Sequence, residues 1–118
     1  MNAIFVLLSL TSAMAQKNIY EPASAVEIRF FLDMYYTDCG HYPTTHDGLD
    51  ALMHKVDEKC PHWGPQPYAN DLPKDPWGHS WSYKATTDGQ KFKLISYGKD
   101  NKPGGAGEDS DIIYRWPQ

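Results

Sequence analysis

Apolar residues recur every three or four positions between residues 23 and 37, which is the spacing of one face of an α-helix. This apolar stripe consists of Ala25, Ile28, Phe31, Leu32 and Tyr35. Phe30 and Met34 are expected to widen it. Gly40 follows, and glycine readily adopts the left-handed conformation that ends many helices. The pattern therefore predicts a helix over residues 23–37 that faces the core.

A second, shorter helix is predicted over residues 45–56. Thr44 and Asp47 have the spacing of a capping box, with Asp in place of the usual Glu. Leu49, Leu52 and Met53 follow at helical spacing. The next stretch, residues 57–73, contains four prolines and is predicted to be a loop, and residues 75–78 are a turn signal.

Hydrophobic and polar residues alternate in residues 81–85 and again in residues 91–97, as they do in strands with one buried face. The Asp88-Gly89 pair lies between these runs and favours a hairpin. The apolar run 112–116 predicts a last short strand. Because the predicted helices precede the predicted strands, the sequence indicates an α+β fold with a small antiparallel sheet.

The segment before the last predicted strand combines glycines with carboxylates. Asp100, Glu108, Asp109 and Asp111 would crowd together there, and like charges repel unless something neutralises them. Ca²⁺ does so by binding six to eight oxygen atoms. The segment therefore predicts a calcium loop, although it lacks the EF-hand spacing, and a solvated acidic loop without metal is the alternative.

Composition narrows the classes of function. The chain has 118 residues, enough for one small domain, and a net charge of −4. No basic patch is visible along the sequence, so nucleic acid is not an expected partner.

Residues 1–15 resemble a secretory signal peptide, with a short apolar run and a small-residue cleavage site, Ala13-Met14-Ala15. We therefore expect a globular domain over residues 16–118, located in the periplasm or secreted. No stretch is long enough for a stable membrane span. In an exported chain, Cys39 and Cys60 favour a disulfide, with free thiols or half of a metal site as alternatives.

An enzymatic function is not expected from this sequence. A zinc site would need His41 or His46 to meet Cys60 and His62, but no C-x-x-C or H-E-x-x-H spacing supports such a cluster. No G-x-S-x-G motif is present either. A small metal-dependent enzyme that uses His41, His46 and His62 is the alternative.

Three segments resemble the major pseudopilins of type II secretion systems. Residues 38–52 resemble the family run D-x-G-x-Y-P-T-T-x-x-G-L-x-A-L, and residues 72–78 resemble L-P-x-D-P-W-G. Residues 104–112 resemble the glycine-rich acidic loop of the same family. The motifs keep the family's order and spacing, and the resemblance covers residues 23–116.

The resemblance implies a pseudopilin-like α+β fold, in which a helix packs on a small antiparallel sheet with one Ca²⁺ in the loop before the last strand. Carried over by position, Asp100, Asp109 and Asp111 are the expected carboxylate ligands. The carbonyl oxygens of Tyr97 and Lys102 are further candidates, and Glu108 is expected to point outward. Other pseudopilins or secretion components are the implied protein partners.

One departure from the family concerns the N-terminus. Family members begin with a prepilin leader, G-F-T-L-I-E, and a hydrophobic helix, whereas a signal-peptide-like stretch stands at this position here. The sequence is therefore interpreted as an exported pseudopilin-like domain that works by protein–protein contact. The alternative is a true major pseudopilin whose start site lies further upstream.

Overall fold

A computed structural model describes residues 21–56 and 58–118, so the signal peptide predicted for residues 1–15 lies outside the described part. In the described residues an α-helix precedes the strands, which confirms the predicted α+β order. The elements are α1 (Ala23–Cys39), a 3₁₀ helix (Gly48–Leu52), β1 (Ser82–Ala85), β2 (Phe92–Ser96), another 3₁₀ helix (Gly107–Asp109) and β3 (Ile112–Trp116).

Helix α1 ends two residues later than predicted, at Cys39, and it ends in the predicted way. Gly40 has a φ of 79°, in the left-handed region, and its backbone N–H donates a 2.7 Å hydrogen bond to the Tyr36 carbonyl. Glycine takes this conformation without the steric cost that a Cβ brings. The helix stop was therefore predictable from the sequence to within two residues.

The apolar stripe of α1 faces the core for most of its length. The fully buried members are Ala25, Ile28, Leu32 and Tyr35. Phe31 is partly buried against them. The expectation that Phe30 and Met34 widen the stripe is wrong, because their exposed fractions are 56% and 45%. Phe30 follows Ile28 by two residues, about 200° around the helix, and so points away from the core.

The predicted helix over residues 45–56 is wrong in type and in length, since the structure forms only the 3₁₀ helix Gly48–Leu52. Gly48 has a φ of 63°, which no α-helix can include. One part of the predicted cap is present, because the Asp47 N–H donates to the Thr44 hydroxyl at 3.0 Å. Leu52 still reaches the core and is fully buried.

Within the described residues, the strands form a three-stranded antiparallel sheet with the order β1-β2-β3. The hairpin predicted between β1 and β2 is confirmed, with a hydrogen bond from the Gly89 N–H to the Thr86 carbonyl at 2.9 Å. On the inner face, Tyr83 stands opposite Leu94, which stands opposite Tyr114. All three are buried. This face forms one wall of the core.

Helix α1 is joined to the sheet by a cation held between aromatic rings. The Arg29 guanidinium carbon lies 4.1 Å from the centre of the Trp116 ring and 4.9 Å from that of Phe30. Arg29 also donates a 3.1 Å hydrogen bond to the Tyr114 hydroxyl. The helix is therefore fixed over β3, which begins at the end of the acidic loop. In residues 21–56 and 58–118, no helix has both the length and the apolar character to cross a bilayer.

A candidate cation-binding loop between β2 and β3

Residues 97–111 connect the end of β2 to the start of β3 and fold back on themselves. The Lys99 N–H donates a 2.8 Å hydrogen bond to the Glu108 carbonyl, which joins the two halves of the loop. The Ser110 N–H donates to the Gly107 carbonyl at 3.1 Å, within the 3₁₀ turn. The loop is thus braced by its own backbone and has a defined shape.

Two glycines let the loop close around Asp109. Gly98 and Gly105 have φ values of 79° and 93°. A Cβ atom built on either glycine would lie 2.6 Å from the Asp109 carbonyl oxygen, which is closer than real Cβ contacts come. Any larger residue at these positions would force the two halves of the loop apart. This steric requirement explains why the sequence places glycine at both positions.

The carboxylates of the loop take part in its backbone hydrogen bonding. Both oxygens of Asp111 accept from the Gly104 N–H, at 3.0 and 3.2 Å. Oδ1 of Asp100 accepts from the Lys102 N–H at 3.1 Å. Asp109 is partly buried at the centre of the loop. Asp100 and Asp111 therefore shape the loop as well as charging it.

The donor atoms of the loop fit a hard cation in chemistry, because carboxylate and carbonyl oxygens are the ligands that Ca²⁺ takes. The described residues contain no group of three or more His, Cys, Asp or Glu side chains gathered as a metal cluster. A calcium site here would therefore depend on backbone carbonyl oxygens as well as on the carboxylates. Tyr97 precedes Asp100 in the sequence and Lys102 follows it, and their carbonyl oxygens are the candidates. The ligand set stays a prediction.

A buried carboxylate outside the loop holds its first residues in place. Asp75 is 5% exposed, and its Oδ2 accepts a 2.6 Å hydrogen bond from the hydroxyl of fully buried Ser96. Its Oδ1 accepts from the backbone N–H groups of Trp77 and His79, at 3.0 and 2.7 Å. The Ser96 hydroxyl in turn accepts from the Gly98 N–H at 3.3 Å. Asp75 thus joins its own turn to the entrance of the loop.

The sequence indicated a turn at residues 75–78 but did not reveal this link. His79 adds a second connection, since its Nε2 lies 3.2 Å from the Lys99 carbonyl oxygen. An acidic residue next to Pro in a turn would ordinarily be placed in solvent. The available signal was the polar Ser96, which shares the inward-facing side of β2 with the apolar Phe92 and Leu94.

The Cys39–Cys60 disulfide is present, with 5.1 Å between the two Cα atoms. It ties the end of α1 to the proline-containing loop. Because the sulfur of Cys60 is bonded to Cys39, it is not available as a thiolate for zinc. The zinc cluster with His41, His46 and His62 therefore lacks its sulfur ligand.

Two tyrosines fasten neighbouring segments to acidic residues of α1. The Tyr42 hydroxyl donates to Oδ1 of Asp33 at 2.8 Å, and the Tyr68 hydroxyl donates to Oδ2 of Asp38 at 2.6 Å. Burial, followed by the hydrogen bond to the carboxylate, raises the pKa of both phenols. Both groups stay neutral near pH 7, so these contacts are structural.

Comparison with known families gives a match over most of the chain. The family model described as type II secretion system (T2SS), protein G, matches residues 10–115. The match spans the helix, the sheet and the whole of the loop at residues 97–111.

The chain is also similar to curated proteins named type II secretion system core protein G. That of Xanthomonas campestris is 54% identical over 84 residues, which cover 71% of this chain and 56% of the relative. That of Pseudomonas aeruginosa is 41% identical over 83 residues, which cover 69% of this chain and 58% of the relative. The matched region thus spans a little over half the length of these relatives.

A solved structure shares the fold. The major pseudopilin from the type 2 secretion system of enterohaemorrhagic Escherichia coli superposes with a TM-score of 0.64 at 28% identity. The similarity covers 91% of each chain.

Proposed function

The chain belongs to the type II secretion system protein G family, and from this membership we propose that it is a structural component of such a system and not an enzyme. It works through protein–protein contacts with other pseudopilins or secretion components, in the periplasm or after secretion. The observation that carries the proposal is the family match over residues 10–115, supported by the shared fold of a major pseudopilin.

Calcium is the proposed cofactor of the loop between β2 and β3. The ligands are the carboxylates of Asp100, Asp109 and Asp111, with the carbonyl oxygens of Tyr97 and Lys102. A bound cation would offset the negative charge of these carboxylates. The compact backbone of the loop and its all-oxygen donor set support this assignment.

The proposed consequence of calcium binding is a rigid loop at one end of the sheet. Asp75 and Ser96 already hold the entrance of the loop, and the ion would hold its centre. A rigid surface loses less conformational entropy when a partner binds it. The loop would therefore be a prepared contact surface.

A grafting experiment tests the proposed role. Residues 21–118 would replace the corresponding part of the type II secretion system core protein G of Vibrio cholerae, which is 39% identical over 82 residues. We expect the chimera to restore secretion in a strain that lacks the native protein. An Asp109→Ala chimera should secrete less, whereas a Lys55→Gln chimera, changed at an exposed site outside the loop, should match the unmodified one.

The graft can also contradict the proposal. A chimera that accumulates to the normal level, yet neither supports secretion nor cross-links to other secretion components, would show that the globular part has a different role. Immunoblotting of the same cultures gives the protein level and removes instability as an explanation.

A further inference from the structure

The outward face of the sheet carries a row of cations that are scattered along the sequence. Lys84 of β1 stands directly opposite Lys93 of β2, and Lys93 stands directly opposite Arg115 of β3. Directly opposite residues in neighbouring strands point to the same face of the sheet. Strand pairing therefore brings together cations that are far apart in the sequence.

This cationic row, Lys84, Lys93 and Arg115, is electrostatically unfavourable in the isolated chain. Like charges directly opposite each other in a sheet are destabilising. Among residues 21–56 and 58–118, the ion pair formed is Arg29 with Asp33, and none includes a member of the row. Lys91, two residues before Lys93 in the sequence, adds a further positive charge on the same side. An arrangement with this cost points to a partner that offsets it.

A cleft of about 540 Å³ lies beside the row and gives the surface an apolar part. Its lining includes the cations Lys84, Lys93 and Arg115 and the apolar residues Ala85, Phe92 and Pro117. Ile113 lies on the same face of β3 as Arg115 and is 45% exposed. The surface thus combines a cationic rim with apolar contacts.

The rest of the chain is negatively charged, which favours a small anionic partner over an extended anionic surface. The chain has 11 Lys and Arg residues and 15 Asp and Glu residues. Without Lys84, Lys91, Lys93 and Arg115, seven basic residues oppose 15 acidic ones, a net charge of −8. This net negative charge disfavours a large anionic surface, such as a membrane or a nucleic acid, as the partner. A short acidic segment would meet only the cations.

We propose that the cationic row is a docking surface for a short acidic segment of a partner protein. Carboxylates of the segment would pair with Lys84, Lys93 and Arg115, and an adjoining apolar side chain would occupy the cleft. The choice of a protein partner rests on the proposed function. Within the described sheet, β3 pairs with β2 alone, so the row ends at an edge strand.

A titration with hexaglutamate peptide tests the proposal on the full chain. Amide resonances are followed by NMR at physiological salt, and shifts should centre on residues 84, 93 and 115. The Lys84→Gln/Lys93→Gln variant should bind about tenfold more weakly, because paired charges across an interface are lost. The matched control is Lys55→Gln/Lys74→Gln, which makes the same change in net charge at exposed positions outside the row.

The outcomes separate the proposal from its competitors. The control should bind the peptide within about twofold of the wild type, since remote exposed charges are largely screened. Equal weakening of both variants, or no binding by the wild type, would overturn the proposal. A competing outcome is that the chain binds phosphatidylglycerol vesicles more tightly than it binds the peptide. If Lys84→Gln/Lys93→Gln abolished that vesicle binding, the row would be assigned to a membrane. Lys84→Gln/Lys93→Gln removes like charges and should not lower the melting temperature. A lower melting temperature would therefore identify misfolding as the cause of weaker binding.

The peptide titration and the grafting experiment can fail independently of each other. Peptide binding is measured on the isolated chain and does not depend on secretion activity. A chimera that secretes while the isolated chain ignores the peptide would refute only the docking surface.

Discussion

The hydroxyl of Ser96 donates a 2.6 Å hydrogen bond to Oδ2 of Asp75, and both side chains are buried. This contact joins the last residue of β2 to a turn 21 positions earlier in the chain. Because the same hydroxyl accepts from the Gly98 N–H, the contact also fixes the entrance of the acidic loop. The fold and the candidate site therefore share one buried polar link.

Replacing Ser96 with alanine should destabilise the protein. The substitution leaves Oδ2 of buried Asp75 without its hydroxyl donor, which costs about 1–3 kcal/mol. The free energy of unfolding, measured in urea, should fall by this amount. Ser80→Ala is the control, because the exposed Ser80 hydroxyl accepts a hydrogen bond from the exposed Lys74 side chain. It should change stability by less than about 0.5 kcal/mol. Equal effects of the two substitutions would contradict the role of the buried link.

Gly98→Ala should disrupt the loop, whereas Gly104→Ala should only strain it. Both glycines have a positive φ, 79° and 86°. A Cβ at Gly98 would meet the Asp109 carbonyl oxygen at 2.6 Å, but a Cβ at Gly104 has no neighbour within 4 Å. Gly104→Ala should cost about 1 kcal/mol, and Gly98→Ala about 1–3 kcal/mol more.

Thermal unfolding of the two variants measures this difference. Since the control carries the same backbone strain, any excess for Gly98→Ala reports the steric contact with Asp109. Equal melting temperatures for Gly98→Ala and Gly104→Ala would show that the two halves of the loop move apart at no cost in stability.

Calcium should stabilise the folded chain by mass action. At a concentration one hundred times the dissociation constant, a ligand that binds only the folded state adds about 2.7 kcal/mol. Asp109→Ala should remove most of this gain in melting experiments with calcium and with EDTA. Glu108→Ala is the control, since Glu108 is a neighbouring carboxylate that we expect to point outward.

Calorimetry gives an independent measure of the same site. We expect saturable one-to-one binding of Ca²⁺ to the oxidised chain and its loss in Asp111→Ala. A wild-type protein with the same melting temperature in calcium and in EDTA would refute the calcium assignment, while leaving the family membership intact.

Reduction of the Cys39–Cys60 disulfide should destabilise the protein by about 3 kcal/mol, the chain-entropy value for a closed loop of about 20 residues. The bonded cysteines are 21 positions apart. Urea unfolding with and without dithiothreitol measures the effect. The Cys39→Ser/Cys60→Ser variant should match the reduced wild type and should not respond to the reductant; a stable variant equal to the oxidised wild type would argue against a stabilising disulfide.

Stability should decline above pH 10 because buried phenols resist ionisation. Burial raises the pKa of Tyr83 above its model-compound value of 10.0, and its hydroxyl donates to the Pro43 carbonyl at 2.7 Å. A raised folded-state pKa contributes stability that is complete below pH 10 and is lost as the pH rises towards the folded pKa. Burial and the hydrogen bond to Asp33 also raise the pKa of Tyr42, which affects stability in the same direction.

The dependence of unfolding free energy on pH, measured on both sides of pH 10, checks this sign. Tyr83→Phe should be less stable at neutral pH, because the hydroxyl bond is lost, and should show a shallower decline above pH 10. An unchanged slope in Tyr83→Phe would mean that the decline comes from other groups.

Several elements of the fold could be predicted because neighbouring residues determine them. The stripe of α1, the left-handed Gly40 and the Asp88-Gly89 hairpin depend on contacts between residues a few positions apart. The second predicted helix failed for a local reason, since Gly48 adopts a conformation that an α-helix excludes. The presence of a glycine-rich acidic loop was equally visible in the sequence.

The sequence by itself determined the order of elements, the face that α1 buries, the family and the composition of the loop. Only the tertiary structure decided that Asp75 is buried beneath the loop and that Lys84, Lys93 and Arg115 form one row. These relationships depend on strand register and on packing between distant segments. No local periodicity encodes which residue stands opposite which, because the register is settled by the pairing of whole strands and the core beneath them.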